Sequence, residues 1–443
     1  MRNLWLTATA ALALAACTGG SKDPLVGFGP NPPLKAPKSS LLPTVGVPDV
    51  VGWPAGAAPT APAGFTVTRY AEGLDHPRWL LVLPNGDVLA AESASEPSKA
   101  DNSNKGSKGV VQTMLMKKVG SSRPSPNRII LLRDANNDGV AETRTDFAQG
   151  LKQPFGMTLV RDTLYVANSD GVVSFPYVAG QTAATGVGTR LFDLPGPPIN
   201  HHWTKNVVAS PDGTKLYATV GSNSNIGDNG IENEVGRAAI WEYDIGSAQA
   251  HVYAGGIRNP NGIDFEPTTG AMWTVSNERD EIGNDLPPDY LTTVKAGGFY
   301  GWPYSYWGRN VDVRVKPQNP ALVATAIAPD YGLGPHTASL GLTFYRAAAF
   351  PAQYRGGAFI GQHGSWNRKP LNGYRVVFVP FAGGRPQVPA QVFLSGFLNA
   401  QNKIQGRPVG VAVDARGALL VADDVGGIVW RVAPAPNVQS AMR

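Results

Sequence analysis

Pro77-Arg78-Trp79-Leu80-Leu81-Val82-Leu83-Pro84-Asn85-Gly86-Asp87-Val88-Leu89-Ala90-Ala91-Glu92 reads as two short apolar runs joined by a Pro-Asn-Gly-Asp turn. Runs of this length, bounded by turn formers, predict an antiparallel strand pair. The pattern returns at Pro154–Asn168, at Asn206–Gly221 around Pro211-Asp212-Gly213, and at Pro260–Asn277 around Pro267-Thr268-Thr269-Gly270. It returns again at Ser339–His363 around Tyr354-Arg355-Gly356-Gly357, and at Pro408–Asp424 around Asp414-Ala415-Arg416-Gly417, which makes six copies. A further alternating strand follows most copies: Arg128–Arg133, Val172–Tyr177, Ala239–Tyr243, Tyr374–Phe381 and Ile428–Val432. A lone sheet cannot bury both faces, whereas radial stacking can. The expected fold is therefore all-β, a six-bladed β-propeller of four-stranded antiparallel blades, with Thr66–Tyr70 completing the last blade. A pair of β-sandwiches is the alternative.

The chain has 443 residues, beyond the usual size of one compact domain unless repeats build it. Only 16% of residues are charged, against 52 Gly and 38 Pro, a balance that suits turns and strands rather than long helices. The formal charge is +5. Loss of Arg2 with a leader lowers it slightly, too weak a charge on so long a chain to imply a nucleic-acid partner.

The N-terminus reads as an address. Arg2 precedes a short apolar run, Leu4 to Leu14, and Leu14-Ala15-Ala16-Cys17 matches a bacterial lipoprotein cleavage box. Cys17 is the sole cysteine, so no disulfide competes for it; a plain secretory signal is the alternative. The expected organisation is a signal peptide at 1–16, a lipidated Pro/Gly-rich tether at 17–63, the propeller at 64–435 and a tail at 436–443. The protein would be exported and touch the membrane only through its lipid anchor, at the periplasmic face.

Four loop clusters sit beside the repeated strands, where propeller loops converge. Asn200 to Asn206 includes His201 and His202, either of which offers a base near neutral pH. Gly255 to Gly262 offers Arg258 and Asn259, a fixed donor fork beside an amide. Ser276 to Asp285 carries four acids and two amides, suited to a hard cation such as calcium. Two late loops, Gln362 to Lys369 and Gln405 to Pro408, add Arg368, Lys369 and Arg407. Trp302, Tyr304, Tyr306, Trp307 and Trp366 either line a carbohydrate site or pack between blades. Asp134-Ala135-Asn136-Asn137-Asp138-Gly139 copies half of a calcium loop but has Thr145 at position twelve, and reads first as a hairpin turn. No phosphate-binding loop and no G-x-S-x-G elbow is present.

In this order the clusters resemble the quinoprotein sugar dehydrogenases, six-bladed propellers that bind pyrroloquinoline quinone (PQQ) and calcium. The resemblance spans about residues 64–434 and is nearest to the sorbosone dehydrogenase branch. It rests on Gly256-Ile257-Arg258-Asn259-Pro260-Asn261-Gly262, Gly297-Gly298-Phe299-Tyr300-Gly301-Trp302-Pro303 and Gly361-Gln362-His363-Gly364-Ser365-Trp366-Asn367-Arg368. It implies His202 as general base, Arg258 and Asn259 at the quinone, and Arg407 on a PQQ carboxylate, with Arg368 or Lys369 as a second cation. It implies calcium ligands from the Glu278, Arg279 and Asp280 loop through backbone carbonyls. The glucose enzymes carry Gly-Pro where this chain has Glu278-Arg279, and Arg-x-Arg where it has Gln405-Gly406-Arg407. The implied activity is PQQ- and calcium-dependent oxidation of a sugar or sugar aldehyde, with electrons passed to an acceptor. A calcium-dependent sugar lactonase and a non-catalytic binding propeller are the other readings of the same fold.

Overall fold

The computed structural model describes residues 19–38, 48–96 and 124–436. The signal segment, Cys17 and nearly all of the C-terminal tail lie outside these residues. The six copies each build a four-stranded antiparallel sheet. Blade 1 runs Pro77–Val82, Val88–Glu92, Arg128–Arg133, Thr143–Ala148, and blade 2 runs Met157–Val160, Thr163–Asn168, Gly171–Pro176, Thr189–Asp193. Blade 3 comprises Val207–Ala209, Lys215–Val220, Ala239–Asp244 and Gln249–Gly255; blade 4 comprises Asn259–Phe265, Met272–Asn277, Pro288–Thr293 and Tyr331–Pro335. Blade 5 comprises Ser339–Phe344, Ala358–Gln362, Arg375–Val379 and Gln391–Leu394. Blade 6 takes Pro408–Val413, Leu419–Asp423 and Ile428–Pro434 from the C-terminal end and Phe65–Ala71 from the N-terminal end. Each innermost strand touches the innermost strand of the next blade, and the sixth touches the first, so the ring is closed.

Side-chain alternation explains why the ring holds. Successive residues of a strand point to opposite faces, and in a propeller each face meets a different neighbour. Leu89 and Ala91 pack toward blade 2, in one cluster with Phe155, Leu164 and Phe175. Val88 and Ala90, from the same strand, pack toward blade 6 with Leu420, Ala422 and Val429. The remaining four seams hold one apolar cluster each. Toward the outer strands the pattern becomes half-exposed, as in Thr143–Ala148 and Gln391–Leu394.

Glycine sets how near the inner strands approach. A Cβ on Gly262 of blade 4 would lie 2.6 Å from the Leu342 nitrogen and 2.7 Å from the Leu340 oxygen of blade 5. Gly341 presses on the Val409 carbonyl of blade 6, and a Cβ on Gly410 would lie 2.8 Å from the Arg78 carbonyl of blade 1.

Residues 19–38 and 48–63 depart from the expected free tether. Phe28–Gly29 adds a fifth strand to blade 4 by pairing with Tyr331–Pro335, covering a sheet edge. Trp53 packs its ring 5.0 Å from that of Trp430 and 5.4 Å from that of Phe397, and its indole Nε1 donates to Asp423 at 2.7 Å. Thr60 pairs with Ser395. Proline lowers the entropy lost on ordering such a segment, and a few aromatic anchors then suffice to dock it.

Gly262→Ala is expected to lower stability by about 1–3 kcal/mol, because two backbone atoms and the Leu342 Cβ, none of them the far end of a flexible side chain, lie in the way. Gly246→Ala, whose Cβ would meet nothing nearer than Asp244 Oδ1 at 3.5 Å, should stay within about 0.5 kcal/mol. Urea unfolding midpoints of the two variants check the difference, and equal midpoints would refute the close-approach argument.

Candidate active site at the channel mouth

Strand register decides which residues share an end of the channel. Pro77 pairs with Glu92, Asn259 with Asn277, Ser339 with Gln362, and Pro408 with Asp423. The start of each inner strand and the end of the next strand therefore form one rim. His76, Arg78, His202, Arg258, Asn259, His363, Arg407 and Asp424 all sit at or beside these positions.

Contacts run around this rim from blade to blade. His202 and Asn259 press on Gly221 from two sides; a Cβ there would lie 2.5 Å from Asn259 Oδ1 and collide with His202 Cβ. Arg258 is buried and donates to the Glu278 carbonyl at 2.8 Å, to Asn225 Oδ1 at 3.0 Å and to the Asp280 carboxylate at 3.0 Å. Asp280 also accepts from Asn367 Nδ2 at 2.8 Å and pairs with His336 Nδ1 at 3.2 Å. Asn367 belongs to the loop that begins at His363, whose Nε2 lies 2.9 Å from Asp424. Asp424 takes Arg78 Nη1 at 2.5 Å, and the Arg78 guanidinium lies over the Trp203 ring at 5.6 Å. Trp203 adjoins His202, so the circuit closes.

The His202 ring is oriented for base chemistry. Nδ1 lies 2.9 Å from the Ser222 carbonyl and 3.0 Å from its hydroxyl. A carbonyl only accepts, so Nδ1 carries the hydrogen and Nε2 keeps its lone pair. Burial, then the Arg258 cation and His201, hold its pKa well below the ordinary imidazole range, so the ring is neutral at pH 7. Burial alone would raise the Asp280 carboxyl, but Arg258, His336 and Asn367 outweigh it and hold the group below the usual carboxylate range. Asp424 is lowered in the same way by His363, His76 and Arg78 against the effect of burial.

Arg407 is the exception among these charges. It is 5% exposed, and it has no carboxylate partner among the described residues. Its Nε donates to the His363 carbonyl at 2.9 Å and its Nη2 to the Gly364 carbonyl at 2.9 Å, with the guanidinium 5.5 Å from the Tyr374 ring centre. Nη1 bonds to nothing among the described residues. Asn259 Oδ1, sealed from solvent, also lacks a partner. Among the described residues, a buried cation without a carboxylate partner fits an anionic ligand, and the orphaned Asn259 acceptor on the same rim calls for a donor group on that ligand. PQQ, a flat tricarboxylate, matches that need.

Several expected site residues are placed elsewhere. Arg368 is buried with its three nitrogens on Asn284 O, Pro370 O, Ser21 O and Asp285, stapling residues 20–21 to the loop after blade 4's second strand. Lys369 is exposed. Neither joins the rim circuit. Glu278 turns its carboxylate inward to the backbone N–H groups of Arg279 and Trp307, and Arg279 pairs with Asp312. The Glu278 carbonyl is already bonded to Arg258, and the Asp280 carbonyl to Arg279 and Asn225. As arranged, these carbonyls do not form a calcium site. Trp302 donates its indole N–H to Asn225 O, while Tyr306 and Trp307 are packed in the seam between blades 3 and 4, so these three are structural.

Arg78, Asp424 and His336 belong to the rim and were not singled out from the sequence. A signal existed beside the first: a polar residue before proline opens inner strands at His76-Pro77, Asn259-Pro260 and Arg407-Pro408, and Arg78 directly follows the first of these pairs.

Comparison with known proteins agrees with this picture. Residues 178–365 match the family model described as glucose/sorbosone dehydrogenase, and residues 316–435 match one described as TrAA12-like. An aldose sugar dehydrogenase of Escherichia coli is 32% identical over 136 residues, 30% of this chain and 32% of that protein. A PQQ-dependent pyranose dehydrogenase of Coprinopsis cinerea is 27% identical over 292 residues, 52% of this chain and 39% of that protein. The chain thus spans well under half the length of these two curated relatives. The solved holo form of the pyranose dehydrogenase PQQ domain from Coprinopsis cinerea superposes with a TM-score of 0.64 at 20% identity, covering 85% of this chain and 97% of that one. At that identity the likeness concerns the fold.

Burial and the Arg407 cation lower His363 to about 3. The folded chain then binds fewer protons than the unfolded one between that value and 6.5, so this group removes stability as pH falls through that window. In an NMR titration His363 should stay neutral from pH 8 to pH 5, and Arg407→Gln should raise its midpoint. An unmoved midpoint would contradict the proximity of the two groups.

The stretch holding His202, Arg258, Asn259 and the Glu278–Asp280 loop matches the glucose/sorbosone dehydrogenase family model, and the chain's resemblance to the PQQ-dependent sugar dehydrogenases rests on that match and on the shared propeller.

Proposed function

We propose that this chain is a PQQ-dependent oxidoreductase that oxidises a sugar or sugar aldehyde of the aldose or sorbosone kind. The buried guanidinium of Arg407 carries this reading, because among the described residues it has two carbonyl acceptors and no carboxylate, which calls for an anionic ligand. The relatives support the class: an aldose sugar dehydrogenase and a PQQ-dependent pyranose dehydrogenase. The carboxy-terminal half of the export address, Cys17 after Leu14-Ala15-Ala16, supports a lipid-anchored enzyme facing the periplasm.

In this reading Arg407 Nη1 holds a carboxylate of PQQ, and Arg258 and Asn259 orient the quinone edge. Bound there, PQQ would supply the two-electron sink that the protein's own side chains lack. His202 Nε2 removes the proton of the substrate hydroxyl, or of a hydrated aldehyde's hydroxyl, while Ser222 fixes the ring through Nδ1. Asp280 holds Arg258 in place and compensates its charge. Calcium at the Glu278–Asp280 loop would require Arg258 and Arg279 to leave the carbonyls they occupy, so no role for the metal is assigned there.

Reconstitution with PQQ, followed by oxidation of aldoses with an artificial electron acceptor, tests the reading. His202→Ala should bind PQQ as the parent does and lose about 10²–10⁴-fold in turnover. Arg407→Ala should weaken PQQ binding by at least about tenfold. Unchanged turnover in His202→Ala would refute the base. Hydrolysis of sugar lactones without PQQ would assign a hydrolase instead, and PQQ or sugar binding with no turnover would assign a binding protein.

A further inference from the structure

Far from the channel mouth, blade 1 joins Arg128–Arg133 to Thr143–Ala148 through Asp134-Ala135-Asn136-Asn137-Asp138-Gly139-Val140-Ala141-Glu142. Asp134, Asp138 and Glu142 each place a carboxylate oxygen within 4.8 Å of the others. Acidic groups on a surface turn are common, and three together are not a site. The side chain of Asp134, however, is only 7% exposed. Its Oδ2 accepts from the Gly139 N–H at 2.9 Å and from Arg416 at 2.5 Å, while its Oδ1 is sealed from solvent with no hydrogen-bond partner. A buried carboxylate oxygen without a partner is costly unless something positive meets it.

Charge points to the same ligand. Of the three carboxylates only Asp134 is shown paired with an arginine, Arg416, which leaves a surplus of two negative charges for a divalent cation to balance. The nearby Arg431 is committed to Asp414 at 2.7 Å. The order of groups matches a calcium loop through its ninth position: Asp134, Asn136 and Asp138 at one, three and five, glycine at six, the Val140 carbonyl at seven and Glu142 at nine. The twelfth position is Thr145 and strands replace helices, so the strand ends, not a bidentate glutamate, would hold the loop shut.

We propose that this hairpin binds one calcium ion through Asp134, Asn136, Asp138, the Val140 carbonyl and Glu142, and that the ion fastens the closing seam of the propeller. Two contacts connect the loop to that seam. The Ala141 N–H donates to the Tyr70 carbonyl at 2.8 Å, within the closing strand Phe65–Ala71. Arg416, in the first turn of blade 6, donates to the Asn137 carbonyl as well as to Asp134. Calcium bound here stabilises the folded ring and takes no part in oxidation, so this site stands or falls independently of the reading of the channel mouth.

The test uses the full chain free of PQQ and titrates calcium chloride alone. The parent should bind an equivalent with a dissociation constant of about 10⁻⁴–10⁻³ M, as extracellular modules do. Its Tm should rise by a few degrees at about 10 mM calcium. Asp138→Asn/Glu142→Gln alters two exposed side chains, so it should fold and lack both that equivalent and the Tm shift. PQQ affinity should be the same in parent and variant. A parent whose Tm ignores calcium would overturn the proposal, as would a variant that keeps the full shift and the full stoichiometry.

Discussion

Strand Phe65–Ala71 hydrogen-bonds along its length to Ile428–Pro434, and this pairing of the two ends of the domain turns six sheets into a ring. Closure sets blade 1 against blade 6, where Arg78 and Asp424 face each other, and without it the Asp424 carboxylate would lose the cation of blade 1. The circuit from His202 through Asp280, His363, Asp424 and Arg78 back to Trp203 would then be open. The channel mouth is thus a property of closure, and none of its residues acquires its neighbours from its own blade alone.

Within the ring, a half-buried carboxylate, Asp280, and a buried one, Asp424, fix the cations. Asp280 gathers Arg258, His336 and Asn367, and Asp424 gathers Arg78 and His363. Buried carboxylates are tolerable only when paired and bonded in this way. Among the described residues, the pairing leaves Arg407 as the rim arginine without a carboxylate partner, while Asp424 Oδ1 and Arg78 Nε stay buried without a hydrogen bond. That asymmetry makes the mouth receptive to an anion while His202 stays neutral and can accept a proton. Orientation and charge come from the fold, and redox chemistry must come from a bound group.

Much of the fold was legible in the sequence because strand alternation and turn residues are local signals. The six copies, the closing strand and the third strands of blades 1, 2, 3, 5 and 6 follow from such signals within a residue or two. Pro288–Thr293, the third strand of blade 4, did not stand out, since two prolines and an aspartate precede its apolar part. The docking of residues 19–38 and 48–63 was hidden for another reason. Proline content describes the unfolded chain, whereas the contacts of Phe28 and Trp53 depend on surfaces assembled much later in the sequence. At the site, His202, Arg258, Asn259 and Arg407 were recognisable from motifs that adjoin strand entrances. Arg368 carried an equally plausible motif, yet its guanidinium is drawn to Asp285 and the Ser21 carbonyl, partners that no local pattern reveals. Asp280 was legible as an acid and not as the counter-ion of Arg258.

The position of PQQ in a crystal of the complex tests the central claim most directly. The account predicts the tricyclic ring at the channel mouth, with a carboxylate on Arg407 Nη1 and the quinone edge turned toward Arg258, Asn259 and His202 Nε2. PQQ bound on an outer face, or in the channel with Arg407 still lacking an anionic partner, would contradict it.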